Sequence, residues 1–391
     1  MTPAARVQAA IEILDEVIAS ARDDGPPADA IIQRYFKTRR YAGSKDRRAV
    51  RELAYRAIRR SGERPDSGRA AMIGLADEDA LLLDLFDGSP HGPALREPAE
   101  AVAPASLIPA WVEPLLSDHV RPDEWPALVE RAPLDLRVNV ARSSRDAMAA
   151  SFEDAVITGL SPWNLRLPAD TKVDDHSAFQ DGLVEVQDEG SQLIALACNP
   201  ADGMRILDLC AGAGGKALAL AAAAPGAELI ASDTNRARLA QLPARAERAQ
   251  ATIASRLIDG GREAAQLSDL EGQCDIVLVD APCSGSGTWR RNPEGRWRLT
   301  PERLDRLVKL QERLLDIAAP LVRPGGWLVY ATCSIIRAEG ADQARNFLGR
   351  HSSWQVQDVP FEGGRADGPG RLLTPAHDAT DGFFVARFVR S

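Results

Sequence analysis

The stretch MRILDLCAGAGGKALALA, residues 204–221, decides the fold. An apolar run of strand character meets a turn containing Gly212, Gly214 and Gly215, and an alanine- and leucine-rich helical run follows. The glycines let backbone come close to a ligand, and the start of the following helix offers free N–H groups. Working outward, the pattern repeats. AELIASD, IASRLID, CDIVLVD, GGWLVYATC and GFFVARFV read as further strands, with helical stretches at 235–250 and 301–319 between them. Regular alternation of apolar strands and helices predicts an α/β domain built on a mostly parallel sheet covered on both faces. Ligands of such sheets bind beyond the carboxyl ends of the strands.

Those strand ends carry the chemistry. Asp233 closes the second strand about twenty residues past the glycine turn, where an acid takes ribose hydroxyls. Asp259 closes the third and is placed to accept from an adenine amino group, and Asp280 closes the fourth. Any one of these aspartates reads equally well as a turn or helix cap. All three beside a glycine turn favour an adenosine-bearing cofactor. CAGAGGK is neither the GxGxxG turn of NAD-binding folds nor a P-loop. S-adenosylmethionine is the better candidate.

Five cysteines, odd in number and without CxxC spacing, argue against a disulfide framework or a zinc knuckle and for a reducing cytoplasm; a metal site has no support from the scattered histidines. Cys198 and Cys274 read as small buried apolar residues. Cys283 and Cys333 each lie just past a strand end. A thiolate adding to carbon 6 of cytosine makes carbon 5 nucleophilic enough to take a methyl group, and a second sulfur assists release of the first. Asp280 is the candidate to hold the N3/amino edge of the pyrimidine during that addition.

The chain has 391 residues, enough for two or three domains, and a net charge of -9. No global basic field therefore advertises nucleic acid. No apolar run is of membrane-crossing length, and the first twenty residues lack a signal-peptide core. The region from 4 to 60 has helical periodicity, and basic residues crowd into 34–60. Tyr35, Phe36, Tyr41 and Tyr55 are interleaved with them. Arg39, Arg40, Arg47 and Arg48 are candidate RNA contacts, against the alternative of a solvated helix face. Arg290, Arg291 and Arg296 in TWRRNPEGRWR, residues 288–298, form a second candidate RNA-contact loop, against the alternative of ordinary buried and surface packing.

LVDAPCSGSGTWRRNPEGRW, LVYATCSI, VQDEGSQLIAL, LQERLLDIAAPLVRPGG and DGFFVARF together resemble the Sun (Fmu) family of RNA cytosine-5 methyltransferases over most of the chain. The resemblance implies a Rossmann-like S-adenosylmethionine-dependent catalytic domain at 181–391. Ahead of it the resemblance implies a small α/β module at 106–180 and an all-α NusB-like RNA-binding domain at 1–100, whose Pro/Gly-rich stretches from residue 59 onward read by composition as a loose end and linker. It assigns nucleophilic addition to Cys333 and product release to Cys283. It also implies cofactor contacts from Cys210, Ala211, Gly212, Ala213, Gly214, Gly215 and Lys216, and from Asp233, Asp259 and Asp280. The expected activity is 5-methylcytosine formation in RNA, with small-subunit (16S) ribosomal RNA as partner and no membrane. The rival readings are a DNA cytosine-5 methyltransferase and a non-catalytic RNA-binding assembly factor. The turn departs from the family's usual CAAPGGKT at Gly212, Ala213 and Ala217.

Overall fold

The computed structural model describes residues 1–23 and 25–391. It divides into two compact units, one of residues 1–116, 121–130 and 288–301, the other of 117–120, 131–287 and 302–391.

The first unit is helical. Helices α1 (Pro3–Arg22), α2 (Ala28–Thr38), α3 (Ser44–Arg60) and α4 (Gly68–Ala76) bury Val7, Leu14, Ile31, Phe36, Val50, Ile58 and Ile73 in one core. Thr2 accepts from the Ala5 N–H and opens α1; Ser67 accepts from Ala70 N–H and opens α4. The stretch after residue 60, expected to be a loose linker, is therefore partly a buried helix. Its first residue explains how: a Cβ on Gly68 would lie 2.3 Å from the Ile11 carbonyl, so only glycine admits α4 against α1 at that distance.

The second unit contains two sheets. The smaller has order β2-β3-β1-β4, with β1 at Leu134–Val138, β2 at Val156–Ile157, β3 at Asn164–Leu167 and β4 at Val184–Val186, all pairs antiparallel. The small sheet thus runs past the expected boundary at residue 180. Leu136, Val138, Leu165, Leu167 and Val184 fill its apolar core. Its other face is ionic. Arg166 donates to both oxygens of Asp135 at 2.7 and 3.0 Å, and Arg245 donates to Glu185 at 2.8 Å.

The larger sheet contains β5 (Arg205–Asp208), β6 (Glu228–Asp233), β7 (Ala254–Leu257), β8 (Cys274–Asp280), β9 (Val322–Thr332), β10 (Trp354–Gln357), β11 (Arg365–Asp367), β12 (Gly370–Leu373) and β13 (Phe383–Arg390). The order is β11-β12-β13-β9-β8-β5-β6-β7, with β10 also on β13. Strands β5 to β9 are mutually parallel and β13 runs antiparallel to β9. Strands β6 and β8 flank β5 on opposite sides, so the strand order reverses at β5 and opens a crevice at its carboxyl end. This is a Rossmann-like α/β fold. The helix expected at 235–250 is two pieces, Arg236–Leu239 and Leu242–Ala249, because Pro243 lacks the N–H that would continue the first piece. Among the described residues no helix is long and apolar enough to cross a membrane.

Candidate active site

The crevice is floored by the turn after β5. Gly212 and Gly214 have φ of 56° and 82°, the left-handed region. A Cβ would also meet the Arg238 guanidinium at 2.4 Å from Gly212 and Leu242 at 2.3 Å from Gly214. Both positions are bound to glycine by backbone and by space. Asp233 fixes the turn, accepting from Gly212 N–H at 2.7 Å with one oxygen and from Asn235 N–H at 2.6 Å with the other. Arg245 donates to the Ala213 carbonyl at 2.7 Å. Cys210 lies two residues past β5, and burial pushes its thiol well above the ordinary range, so it is no nucleophile at neutral pH. Asp259 is exposed beyond β7, where it accepts from Gln266 at 3.0 Å.

Across the crevice, Lys216 Nζ donates to Asp280 at 2.7 Å. Burial works against the ammonium, but the Asp280 charge and hydrogen bond hold Lys216 above its ordinary value. The pair presents the rest of the Asp280 carboxylate, 29% exposed, to the crevice.

Asp208, the last residue of β5, was not singled out in the sequence, because an acid inside ILDL reads as one more strand residue. It is 1% exposed and neither carboxylate oxygen has a partner. Burial, with the neighbouring Asp280 charge, pushes it up to about 7. An orphaned buried carboxylate beside a glycine turn fits a cationic ligand. S-adenosyl-L-methionine carries both an ammonium and a sulfonium, and the residues present fit it. The sign of the pH effect follows. An acid raised from about 4 in the unfolded chain favours folding fully below that value, and the contribution is lost as pH rises through about 7. The cofactor-free protein is therefore expected to lose several degrees of melting temperature between pH 5 and 8. Asp208→Asn should flatten that profile in scanning calorimetry; an unchanged slope would refute this role for Asp208.

Strands β8 and β9 are parallel neighbours, with Asp280 opposite Ala331, so Cys283 and Cys333 emerge at the same edge. Their sulfurs are 3.3 Å apart and both are partly exposed. The contact with Cys333 and burial, reinforced by Glu339, push the Cys283 thiol well above its ordinary value. The contact admits either sulfur as the donor. Cys198 and Cys274 are fully buried.

The basic residues divide. Arg40, Arg47 and Arg48 are exposed on the helical unit. Arg39 stacks 3.6 Å over Tyr35 and pairs with Glu12, and Arg47 donates to the Ala42 carbonyl at 2.9 Å. Arg291 is half-buried, while Arg290 is 6% and Arg296 1% exposed. The reading of Arg290 and Arg296 as RNA contacts is corrected: both are interior residues of the helical unit. Arg296 donates to the carbonyls of Ile58 and Leu107 at 2.6 Å each and of Pro293 at 2.9 Å. Beside it, Trp297 Nε1 donates to the Ser61 carbonyl at 2.8 Å, and Glu294 accepts from the Ala28 N–H at the start of α2 at 2.9 Å. Backbone oxygens without partners, which a sequence does not display, draw these polar groups inward.

A Rossmann-like sheet with a glycine turn, an ion pair at the switch-point crevice and two thiols in contact at the ends of β8 and β9 make up one candidate site. Residues 195–389 match the family model described as 16S rRNA methyltransferase RsmB/F. The ribosomal RNA small subunit methyltransferase B of Salmonella arizonae is 35% identical over 294 residues, covering 73% of this chain and 66% of that one. The chain belongs to the RsmB/F methyltransferase family, and its match spans about two thirds of the length of that curated relative. In fold it is similar to the crystal structure of PH0851, with TM-score 0.77 and 22% identity over 100% of this chain and 99% of that one. It is likewise similar to a methyltransferase homolog protein from Pyrococcus horikoshii, with TM-score 0.59 and 23% identity over 68% and 90%.

Proposed function

We propose that this chain is an S-adenosyl-L-methionine-dependent RNA methyltransferase that forms 5-methylcytosine, with small-subunit ribosomal RNA as substrate. The observation that carries the reading is the 3.3 Å approach of Cys283 and Cys333 at one sheet edge, above the Lys216–Asp280 pair. Asp208, Lys216 and the turn from Cys210 to Gly215, held by Asp233, are the residues that would hold the cofactor. When bound, it supplies the electrophilic methyl group.

The chain's own residues do the rest. Asp280, steadied by Lys216, holds the N3/amino edge of a cytosine taken out of its stack. The Cys333 sulfur bonds to carbon 6, and the electron pair of the carbon 5–carbon 6 double bond becomes available at carbon 5. Once carbon 5 has been alkylated and has lost its proton, the carbon 6–sulfur bond breaks and the double bond re-forms. Cys283 donates to the departing Cys333 sulfur, which leaves as thiolate.

Tritium transfer from labelled cofactor to unmodified 16S ribosomal RNA, with the product digested to nucleosides, tests the reading. Label in 5-methylcytosine is expected. RNA binding without any transfer would favour the assembly-factor alternative. Arg40 and Arg48 are the proposed RNA-contacting cations of the helical unit. Replacing both with alanine is expected to weaken RNA binding and to lower the slope of log K against log salt by roughly one to two, since each phosphate contact contributes about 0.7–0.9. An unchanged slope would return them to a solvated helix face.

A further inference from the structure

Behind the two sulfurs lies a carboxylate to which the reaction above gives no task. Glu339 ends the short turn Arg337–Glu339 after β9 and is fully buried. A buried carboxylate is costly unless its oxygens are engaged. Here Oε1 accepts from the Ser284 N–H at 2.8 Å and from Gln311 Nε2 at 3.0 Å. Oε2 accepts from the Ser334 hydroxyl at 2.6 Å and from the Ser284 hydroxyl. Ser284 follows Cys283 and Ser334 follows Cys333, so one side chain grips both cysteine loops. Gln311 also donates to the Pro282 carbonyl at 3.0 Å, immediately before Cys283. Glu339 itself is held in place, for its own carbonyl accepts from the hydroxyls of Tyr330 at 2.7 Å and Thr332 at 3.3 Å.

We propose that Glu339 is the positioning residue of the cysteine pair: its carboxylate ties the two cysteine loops together through Ser284 and Ser334 and keeps negative charge off Cys283. The inference rests on the reading of Cys333 as nucleophile. Its physics is short-range repulsion. A fixed negative charge disfavours a second one nearby in a low-dielectric setting. The groups facing Cys283 include Cys333 and Glu339, which both disfavour its thiolate, and Tyr330 from β9.

The test reads the thiol directly. In a Cys333→Ser background, without RNA or cofactor, iodoacetamide alkylation of Cys283 is followed against pH by peptide mass. Adding Glu339→Gln, of equal size and no charge, is expected to lower the midpoint by about one pH unit, so that alkylation below the midpoint is about 10-fold faster. A midpoint equal to that of the background would overturn the effect of Glu339 on Cys283. Glu339→Asp in the otherwise unaltered protein withdraws the carboxylate by one methylene. It is expected to keep cofactor affinity and cut single-turnover methylation about 10-fold; unaltered methylation would overturn the positioning role. Alkylation needs no catalysis, so a parent protein that transfers no methyl group would sink the functional reading while the thiol profile still decides the role of Glu339.

Discussion

Cys333→Ala protein, incubated with cofactor and unmodified 16S ribosomal RNA, is expected to give neither methylated product nor a denaturation-resistant protein–RNA adduct. Cys283→Ala is expected to accumulate that adduct. The two sulfurs are in contact, so proximity does not separate their roles, and the variants test the proposed assignment of attack to Cys333 and of assisted departure to Cys283. Only a thiolate adds to carbon 6 at a useful rate. Loss of the nucleophile should lower single-turnover methylation by about 10⁴-fold or more, the scale on which removal of a covalent catalyst acts. Loss of Cys283 leaves addition possible but removes the donor to the departing sulfur, so RNA stays attached. Denaturing gel electrophoresis with labelled RNA reads both outcomes. The reverse pattern, with adduct in Cys333→Ala and none in Cys283→Ala, would give the attack to Cys283, as the DNA cytosine-5 reading requires.

The second large effect falls on stability. Arg296→Ala is expected to destabilise the helical unit by about 3–5 kcal/mol, the usual cost of removing one member of a buried charged network. The backbone carbonyls of Leu107 and Pro293 would lose this donor, and that of Ile58 would keep only the Ser61 N–H at 3.3 Å. Burial pushes Arg296 down to about 9, which still leaves it cationic at pH 7. Arg296→Lys should rescue little, because a single ammonium does not reach three carbonyls in the fork geometry of a guanidinium. Urea unfolding followed by helical circular dichroism measures the change. A midpoint within experimental error of the parent's would show that this segment adds nothing to the unit.

Where sequence reading worked, periodicity and covalent constraint were the reason. Strands β5, β6, β8, β9 and β13 are apolar runs that admit no other packing, and glycine at 212 and 214 is dictated by backbone angle. Cys283 and Cys333 were legible as a pair because both follow strand ends, although only the parallel pairing of β8 with β9 brings them into contact. What escaped notice depended on partners distant in the chain. Asp208 looks like any strand residue until its carboxylate is found without a partner. The α4 helix hides between proline and glycine because its place is set by Ile11 and Leu14 on α1. Glu339 carries no sign of its role in the sequence, since its use depends on serines and a glutamine from three separate loops and helices.

The return of residues 288–301 to the helical unit bears on the order in which the protein can be completed during synthesis. Domains ordinarily fold as they leave the ribosome, amino-terminal part first. Here the nascent chain carries α1 to α4 long before Glu294 arrives to satisfy the first N–H of α2, or Arg296 to occupy the carbonyls at Ile58 and Leu107. Maturation of the helical unit therefore waits for residue 301, by which point β1 to β8 have already been translated. A fragment ending at residue 130 would be an unfinished helical bundle, with the Trp297 site at Ser61 empty and the α2 amino terminus uncapped.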